Sequence, residues 1–384
     1  MKCAVGLSTL RNTPSATSEV IERVVAGLDG ESADLAFVFA SPHHTDALDA
    51  IGKRVLEKGL AKHVLGCTGE SIIGEGHEVE GQSALAIWTI ALPGTTLTPV
   101  QITSDDGGFH GWDSAWDRPS PDDRTLIVLG DPFRFPVNDW LKTLAKSCPG
   151  LKVCGGMSSG GSMPGQIRLM LDGESYADGA VGLLIDGPAR IRPIVSQGCR
   201  PIGRHLLVTS ADRNVIRELG RRPAIEVVRE LFETLEPHEQ AMVQEGLHVG
   251  VVINEYQDTF DRGDFLVFNV MGADDQGGIA ITDLVRVGQT VQFHIRDADT
   301  AHEDLVALLG RDGNNPKAVG ALIFSCNGRG SRLFNEPDHD ASAITQAFGP
   351  IPTAGFFAMG ELGPVGGRNF VHGYTASIVL FEES

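Results

Sequence analysis

Three stretches of the chain share one order of hydrophobic and polar positions. In each, a short apolar run ends in a polar turn, a segment with helical spacing follows, a second apolar run ends in glycine, and a further apolar run closes the stretch. The opening runs begin at Leu35, Leu126 and Ala321. The pattern predicts three copies of one strand-helix-strand-strand unit that pack together.

The predicted fold class is therefore mixed α/β, with mixed sheets flanked by helices. Gly-, Arg- and Pro-rich sequence interrupts the repeats over residues 196–222, and this change of texture predicts the main boundary. We expect a first domain over residues 1–195, with internal repeats at about 30–95 and 120–190, a connector over 196–222, and a second domain over 223–384. The loop 105–123, which carries Trp112 and Trp116, is a candidate lid.

Composition limits the classes of partner. The 384 residues include 31 Lys and Arg against 50 Asp and Glu, a formal net charge of -19. A field of that sign repels phosphate backbones and anionic lipid, so we expect neither nucleic acid nor a membrane as partner. The first residues lack the apolar stretch of a signal peptide, which predicts a cytoplasmic protein. Six cysteines without a CxxC or paired zinc spacing predict free thiols.

The candidate ligand-binding residues lie where the predicted strands end. Ligands of α/β units collect at the carboxyl ends of the strands, because loops there turn into helices and leave backbone amides free. The residues at these positions are Cys67, Thr68, Glu70, Gly155, Gly156, Ser158, Ser325, Cys326, Asn327, Arg329, Phe357 and Glu361.

The turn 325–330 has the most specific chemistry of these positions. Arg329 and Asn327 stand beside glycines that let a ligand approach the backbone, and an arginine suits the capture of a carboxylate. Glu70 or Glu361 would hold a cationic group, so the set suits a zwitterionic amino acid. The alternative for Arg329 is an ion pair with a structural acid across the domain interface.

Six short segments, taken in order, resemble the FIST family. They are residues 66–70, 197–203, 292–298, 324–330, 355–357 and 361–364, and together they span nearly the whole chain. The resemblance implies a sensory protein with FIST N-like and FIST C-like parts that binds small molecules, amino acids among them, without catalysis. It also implies a signalling output domain, which many members carry. Because none follows the second half here, we expect signalling through a separate partner protein.

Two other classes of function stay open. Cys67 and Cys326 follow predicted strands, where a thiol with a lowered pKa would serve a hydrolase or transferase, although no base adjoins either one in sequence. The ligand pocket is expected at the junction of the two halves. A filled junction without a pocket would instead favour a protein-interaction scaffold. The run 155–161 lacks the spacing of a P-loop or a dinucleotide site, and no histidine pair has zinc spacing. We therefore expect no catalytic residue, cofactor or metal.

Overall fold

A computed structural model of the protein describes residues 1–111, 124–260, 262–310 and 317–383. Over these ranges the chain forms 26 strands and seven α-helices. They divide into two compact units: unit 1 is Met1–Ser196 with Leu305–Ser384, and unit 2 is Gln197–Asp304. The two tryptophans of the candidate lid, Trp112 and Trp116, lie outside the described residues.

Unit 1 contains the three predicted repeats, which confirms the strand-helix-strand-strand order. Repeat 1 consists of β1 (Cys3–Ser8), α1 (Thr13–Leu28), β2 (Leu35–Ala40), α2 (Leu48–Glu57), β3 (His63–Thr68), β4 (Ile72–Gly74), β5 (His77–Val79) and β6 (Leu85–Ile90). Repeat 2 consists of β7 (Thr96–Asp105), β8 (Gly108–His110), β9 (Arg124–Gly130), α3 (Val137–Ser147), β10 (Lys152–Met157), β11 (Leu169–Leu171), β12 (Glu174–Tyr176) and β13 (Ala180–Asp186).

The third repeat is interrupted by unit 2. Its first strand is β14 (Arg190–Gln197), after which the chain enters unit 2 and returns within a helix. Unit 2 contains β15 (Cys199–Asp212), β16 (Val215–Leu219), β17 (Arg222–Pro223), α4 (Ala224–Thr234), α5 (Pro237–Glu245), β18 (Leu247–Val252), β19 (Phe265–Ala273), β20 (Ile279–Ile281) and β21 (Thr290–Arg296). Repeat 3 then continues with α6 (Ala298–Gly310), β22 (Ala318–Cys326), α7 (His339–Phe348), β23 (Thr353–Ala358), β24 (Glu361–Val365), β25 (Arg368–His372) and β26 (Thr375–Glu382).

Each repeat builds a sheet with the same strand order. The orders are β1-β6-β2-β3-β11-β12, β7-β13-β9-β10-β24-β25 with β8 outside β7, and β14-β26-β22-β23-β4-β5. The strands that flank α2, α3 and α7 are parallel in all three sheets: β2 and β3, β9 and β10, and β22 and β23. The closing strands β6, β13 and β26 are antiparallel to β2, β9 and β22. The parallel pair follows from the helix between its strands, since a crossover returns the chain in the same direction.

The last two strands of each sheet come from another repeat. Hairpin β4-β5 of repeat 1 pairs with β23 of repeat 3, hairpin β11-β12 of repeat 2 pairs with β3 of repeat 1, and hairpin β24-β25 of repeat 3 pairs with β10 of repeat 2. An isolated two-stranded hairpin is at best marginally stable, and an uncovered sheet edge is a template for aggregation. This cyclic exchange pairs every hairpin with a sheet and extends the three sheets beyond β3, β10 and β23.

The core of unit 1 joins all three sheets. Phe37 and Phe39 of repeat 1, Leu129 of repeat 2, and Phe324 and Phe356 of repeat 3 belong to one buried cluster. The opposite faces pack against the helices in three smaller clusters. Both faces of the central strands are therefore buried, which explains why these strands appear as unbroken apolar runs in the sequence.

Glycine is required at one register of the three sheets. Gly155, with φ 137, and Gly355 each lie opposite a residue of the neighbouring parallel strand, and a Cβ on either would overlap that residue's carbonyl oxygen. Gly66 has the same register position in the first sheet. The glycines that end the second apolar run of each repeat therefore allow close approach of two strands.

Unit 2 is an antiparallel sheet that closes on itself. The order is β15-β21-β18-β19-β20-β16-β17, and β15 pairs with both β21 and β16 because it runs over 14 residues with irregular register. Apolar side chains fill its interior, among them Ile202, Val249 and Phe293.

None of the helices in the described part of the chain combines the length and apolar character that a bilayer crossing requires.

The compact units divide the chain differently from the expected domains. The segment 196–222, expected to be a connector, supplies β15 and β16 to the sheet of unit 2. Residues 305–384, expected in the second domain, belong to unit 1. The exchange of hairpins is the reason, since repeat 3 receives a hairpin from repeat 1 and supplies one to repeat 2.

Candidate functional site

The carboxyl ends of β3, β10 and β23, one strand from each repeat, meet in unit 1. The Ser159 hydroxyl donates a hydrogen bond to the Phe357 carbonyl and accepts one from the Glu70 amide, at 2.7 Å. The hydroxyl oxygens of Thr68 and Ser158 lie 3.0 Å apart. We call Thr68, Glu70, Ser158, Ser159 and Phe357 the strand-end cluster. Four of the five were expected at the site; Ser159 was missed because its role depends on partners about 90 and 200 positions away.

Most of the strand-end cluster is sealed from solvent. Ser158 and Ser159 are fully buried, Thr68 is 1% exposed and Phe357 is 2% exposed. Their polar groups bond to one another, so they join the three repeats instead of lining an open pocket. Glu70 is half-buried, and its carboxylate forms an ion pair with Arg332.

Three of the expected ligand-binding residues, Cys67, Gly155 and Gly156, are packed inside β3 and β10. Cys67 is fully buried in β3, and burial raises the pKa of its thiol well above the ordinary value. Gly155 and Gly156 lie in β10, where a side chain at Gly156 would meet Ala358 and Phe324. Strand packing explains these positions, because a small residue after an apolar run marks a turn and a tight strand contact equally well. That these residues contact a ligand stays a prediction.

Arg329 forms an ion pair with an acid of its own unit, Asp340. Its Nε lies 2.8 Å from Oδ2 of Asp340 and its Nη2 lies 2.7 Å from Oδ1, and both side chains are fully buried. The guanidinium carbon also lies 5.1 Å from the ring centroid of Phe334. The expected carboxylate grip is therefore taken by Asp340 at the start of α7. The partner is a structural acid, as in the alternative interpretation, but it belongs to the same unit.

Asp340 is held in the ionised state. Burial opposes its charge, but the Arg329 guanidinium and hydrogen bonds from His339 and Ser325 keep the pKa of Asp340 far below its ordinary value. Glu78 accepts the backbone amides of Asp340 and Ala341 through Oε1. Burial and the nearby charge of Asp340 raise the pKa of Glu78 to about 8, so this acid is neutral at pH 7.

Buried Glu361 and half-buried Cys326 form a second group, which we call the acid–thiol pair. Glu361 is fully buried, and its Oε2 accepts the hydroxyl of Thr375 at 2.8 Å and the Thr375 amide at 3.2 Å. Burial raises the pKa of Glu361 to about 8, although Thr375 and the neighbouring thiol oppose the rise. Burial and the Glu361 charge raise the pKa of Cys326 to about 12. At neutral pH the thiol is protonated and a poor nucleophile.

Asn327 connects the turn 325–330 to the strand-end cluster. The backbone amide of Asn327 donates to the Ala358 carbonyl at 3.0 Å, and its backbone carbonyl accepts from Nη1 of Arg332 at 2.8 Å. Nη2 of Arg332 donates a hydrogen bond to the Glu70 carboxylate. Among the described residues, four buried atoms of this region have no hydrogen-bond partner: Asn327 Oδ1, Glu361 Oε1, Arg329 Nη1 and Glu78 Oε2. The sequence therefore indicated the residues of the turn, but it did not show which residues bond to them.

A surface groove of about 510 Å³ lies elsewhere in unit 1. It is lined by Val5, Glu75, Gly76, Ser342, Thr345, Gln346, Pro350, Ile351 and Pro352. None of the expected site residues, all within the described ranges, lines it. No group of three or more His, Cys, Asp or Glu in the described part of the chain is arranged to hold a metal ion.

The geometry defines the protein as one built from repeated α/β units whose strand ends form a polar, mostly buried cluster. Family models of the FIST N domain and the FIST C domain match residues 34–222 and 224–364. The chain belongs to the FIST family, whose domains are described as small-ligand-binding sensory domains.

Relatives cover the chain from end to end. Uncharacterized protein Mb0898c of Mycobacterium bovis is 38% identical over 384 residues, 99% of each chain. Uncharacterized protein Rv0628c of Mycobacterium tuberculosis is also 38% identical, over 99% of this chain and all of its own. F-box/LRR-repeat protein At5g63520 of Arabidopsis thaliana is 32% identical over 105 residues, 26% of this chain and 20% of its own.

Proposed function

We propose that the protein binds a small polar molecule, an amino acid or a similar metabolite, on the strand-end face of unit 1 beside the turn 325–330. One observation carries the proposal: Asn327 Oδ1 and Glu361 Oε1 are buried, yet neither has a hydrogen-bond partner among the described residues. An unsatisfied buried polar group costs about 1–3 kcal/mol. Two such acceptors in one region are expected where a ligand supplies the donors.

Binding without catalysis is the better supported alternative. A cysteine hydrolase or transferase needs a thiolate, whereas burial and the Glu361 charge raise the pKa of Cys326 to about 12. Cys67 is fully buried in β3. Both thiols therefore favour a binding role for the face over nucleophilic chemistry.

The proposal includes a sensory role in the cytoplasm, with the signal passed to a separate partner protein. The family's sensory character supports the partner, and six cysteines without a CxxC or paired spacing support a reducing compartment. The net charge of -19 favours neither nucleic acid nor membrane as that partner. A protein-interaction scaffold without a ligand is the competing function, and the sealed hydroxyls of the strand-end cluster favour it.

A melting-temperature screen against amino acids and small polar metabolites tests the proposal. A ligand at a hundredfold excess over its dissociation constant stabilises the folded state by about 2.7 kcal/mol, which raises the melting temperature by several degrees. Asn327→Ala should weaken the shift, whereas Asn138→Ala, at an exposed position of α3, should leave it unchanged. A screen without any stabilising compound would favour the scaffold, and a shift that survives Asn327→Ala would place the ligand elsewhere.

A further inference from the structure

Six exposed residues of unit 2 form one surface, which we call the basic–apolar patch. Its apolar members are 50%, 57% and 62% exposed, and they are Leu207, Leu284 and Val287. Its basic members are also exposed, and they are Arg213, Arg221 and Arg286. None of these three guanidinium groups forms an ion pair with a residue of the described ranges. The patch therefore offers both positive charge and apolar surface to solvent.

Backbone hydrogen bonds hold the patch on neighbouring segments of unit 2. The Gly288 amide donates to the Val208 carbonyl at 2.9 Å, so the loop 284–289 runs beside β15. The Val285 amide donates to the Arg213 carbonyl, also at 2.9 Å. Val285 is buried, whereas its two flanking residues are exposed. The fold thus anchors the loop through one side chain and presents the next ones outward.

Two of the arginines stand at turn positions that do not favour arginine. Arg213 opens the two-residue turn between β15 and β16, and Arg221 ends the two-residue turn between β16 and β17. Their φ angles are 54 and 66, in the left-handed region that favours glycine and asparagine. The Gly220 amide donates to the Leu207 carbonyl at 2.8 Å, which places the second turn beside an apolar member of the patch. Turn formation does not explain an arginine at both positions, whereas charge displayed at a surface does.

Positive charge is concentrated in this part of an acidic chain. From Arg200 to Arg222 there are six arginines and two acids, although the protein has a net charge of -19. Two acids near the patch bond to other groups: Asp212 lies 4.0 Å from Arg217, and Asp283 accepts a backbone amide. The charge of the patch is therefore left for a group from outside the unit.

We infer that the basic–apolar patch docks an acidic segment of the signalling partner, in which Asp and Glu side chains alternate with apolar ones. The inference rests on the proposed function for the existence of a separate partner, but not for the identity of the ligand. Arginine beside apolar side chains is typical of the residues that contribute most to protein–protein binding.

The net charge of the protein favours a short segment over a larger anionic partner. A charge of -19 repels an anionic membrane, a nucleic acid and a second copy of this chain. A short segment meets mainly the charges within one Debye length, about 8 Å at physiological ionic strength. An acidic segment therefore experiences the arginines of the patch more strongly than the distant acids of the chain.

Fluorescence anisotropy with the full chain tests the inference. The probe is a fluorescein-labelled peptide of three Asp-Leu-Glu-Phe repeats. One control peptide has lysine in place of the acids, and the other has serine in place of Leu and Phe. Each control should bind at least about tenfold more weakly, because it lacks either the complementary charge or the apolar contact. Affinity for the probe should fall between about 50 and about 300 mM NaCl, since salt screens exposed charges.

Charge-reversal variants locate the binding surface. Arg286→Glu and Arg213→Glu should each weaken peptide binding about tenfold. Arg11→Glu is the matched control, because it makes the same change in net charge at an exposed arginine of unit 1 that has no ion pair among the described residues. Leu207→Ser should weaken binding through the apolar contact. Melting temperatures check folding; if the turn does not tolerate Arg213→Glu, Arg286→Glu decides.

The outcomes separate this inference from the proposed function. Equal binding of the three peptides, or equal losses in Arg286→Glu and Arg11→Glu, would overturn the patch and leave the metabolite screen unaffected. Binding to phosphatidylserine–phosphatidylcholine vesicles but not to the probe would show a membrane as the occupant. A dimer that Arg286→Glu dissociates, by sedimentation, would show a second copy, and either result would overturn the acidic segment. Probe binding without any stabilising metabolite would retain the patch and contradict the ligand-binding proposal.

Discussion

Replacing Arg329 by alanine will destabilise unit 1 by about 3–5 kcal/mol. The pair with Asp340 is bidentate, at 2.8 and 2.7 Å, and neither side chain is exposed. Removing one partner of a buried pair leaves an uncompensated charge, and the measured cost of such a change is about 3–5 kcal/mol. Asp340 would retain the hydrogen bonds from Ser325 and His339 but lose the guanidinium.

The expected fall in melting temperature is about 6–10 °C. One kilocalorie per mole moves the melting temperature by roughly 2–4 °C in domains of 150–250 residues, and unit 1 lies beyond the upper end of that range. Urea unfolding and calorimetry of wild type and variant measure both quantities. Arg332→Ala is the matched control, because Arg332 is 56% exposed and its pair with Glu70 should contribute less than about 1 kcal/mol.

A double-mutant cycle with Asp340→Asn isolates the pair. We expect the two single changes to be strongly non-additive, since each removes the same interaction. A loss below about 1 kcal/mol for Arg329→Ala would refute the structural role. If that variant kept its stability and lost the ligand-induced rise in melting temperature, Arg329 would bind the ligand directly.

Three further predictions concern glycine packing, proton linkage and thiol reactivity. Gly355→Ala should prevent soluble folding or cost several kcal/mol in urea unfolding, because its Cβ would overlap the Ile323 carbonyl oxygen; a near-neutral effect would contradict the strand contact. The raised pKa of Glu361 means that the folded state binds more protons between about pH 4.3 and 8, so this group's contribution to stability falls as pH rises through that window, by about 1.4 kcal/mol per pH unit. Glu361→Gln should remove that slope from the unfolding free energy measured against pH, and an unchanged slope would show that the acid is ionised in the folded state. Cys326 should react with iodoacetamide at pH 7 far more slowly than free cysteine, by peptide mass spectrometry; rapid alkylation would revive the cysteine-enzyme alternative.

The three repeats and the strand-helix-strand-strand frame of each follow from the sequence alone. The apolar positions Leu48, Ile51 and Val55 predict the helix that the structure places at Leu48–Glu57. Strand β9, predicted from the run that begins at Leu126, is buried along its whole length. These elements are predictable because helix and strand periodicity is written within a window of about 11–18 residues.

The identity of each partner depended on the tertiary structure. Arg329 stands in a turn whose sequence fits a ligand grip equally well, and only the fold shows that Asp340 takes the guanidinium. Ser159 acquires its role from Glu70 and Phe357, which belong to two other repeats. An ion pair or hydrogen bond between distant segments leaves no periodic signal in either one.

Strand exchange explains why the two compact units do not follow from the sequence pattern. The sequence analysis did not predict hairpin β4-β5, and nothing in its local sequence indicates that it pairs with β23, which follows unit 2 in the chain. Any apolar strand edge offers the same backbone donors and acceptors, so local sequence does not select among them. The sequence by itself determined the three repeating units and their strand ends; the tertiary structure decided which edges pair, because that choice depends on how three sheets pack around one core.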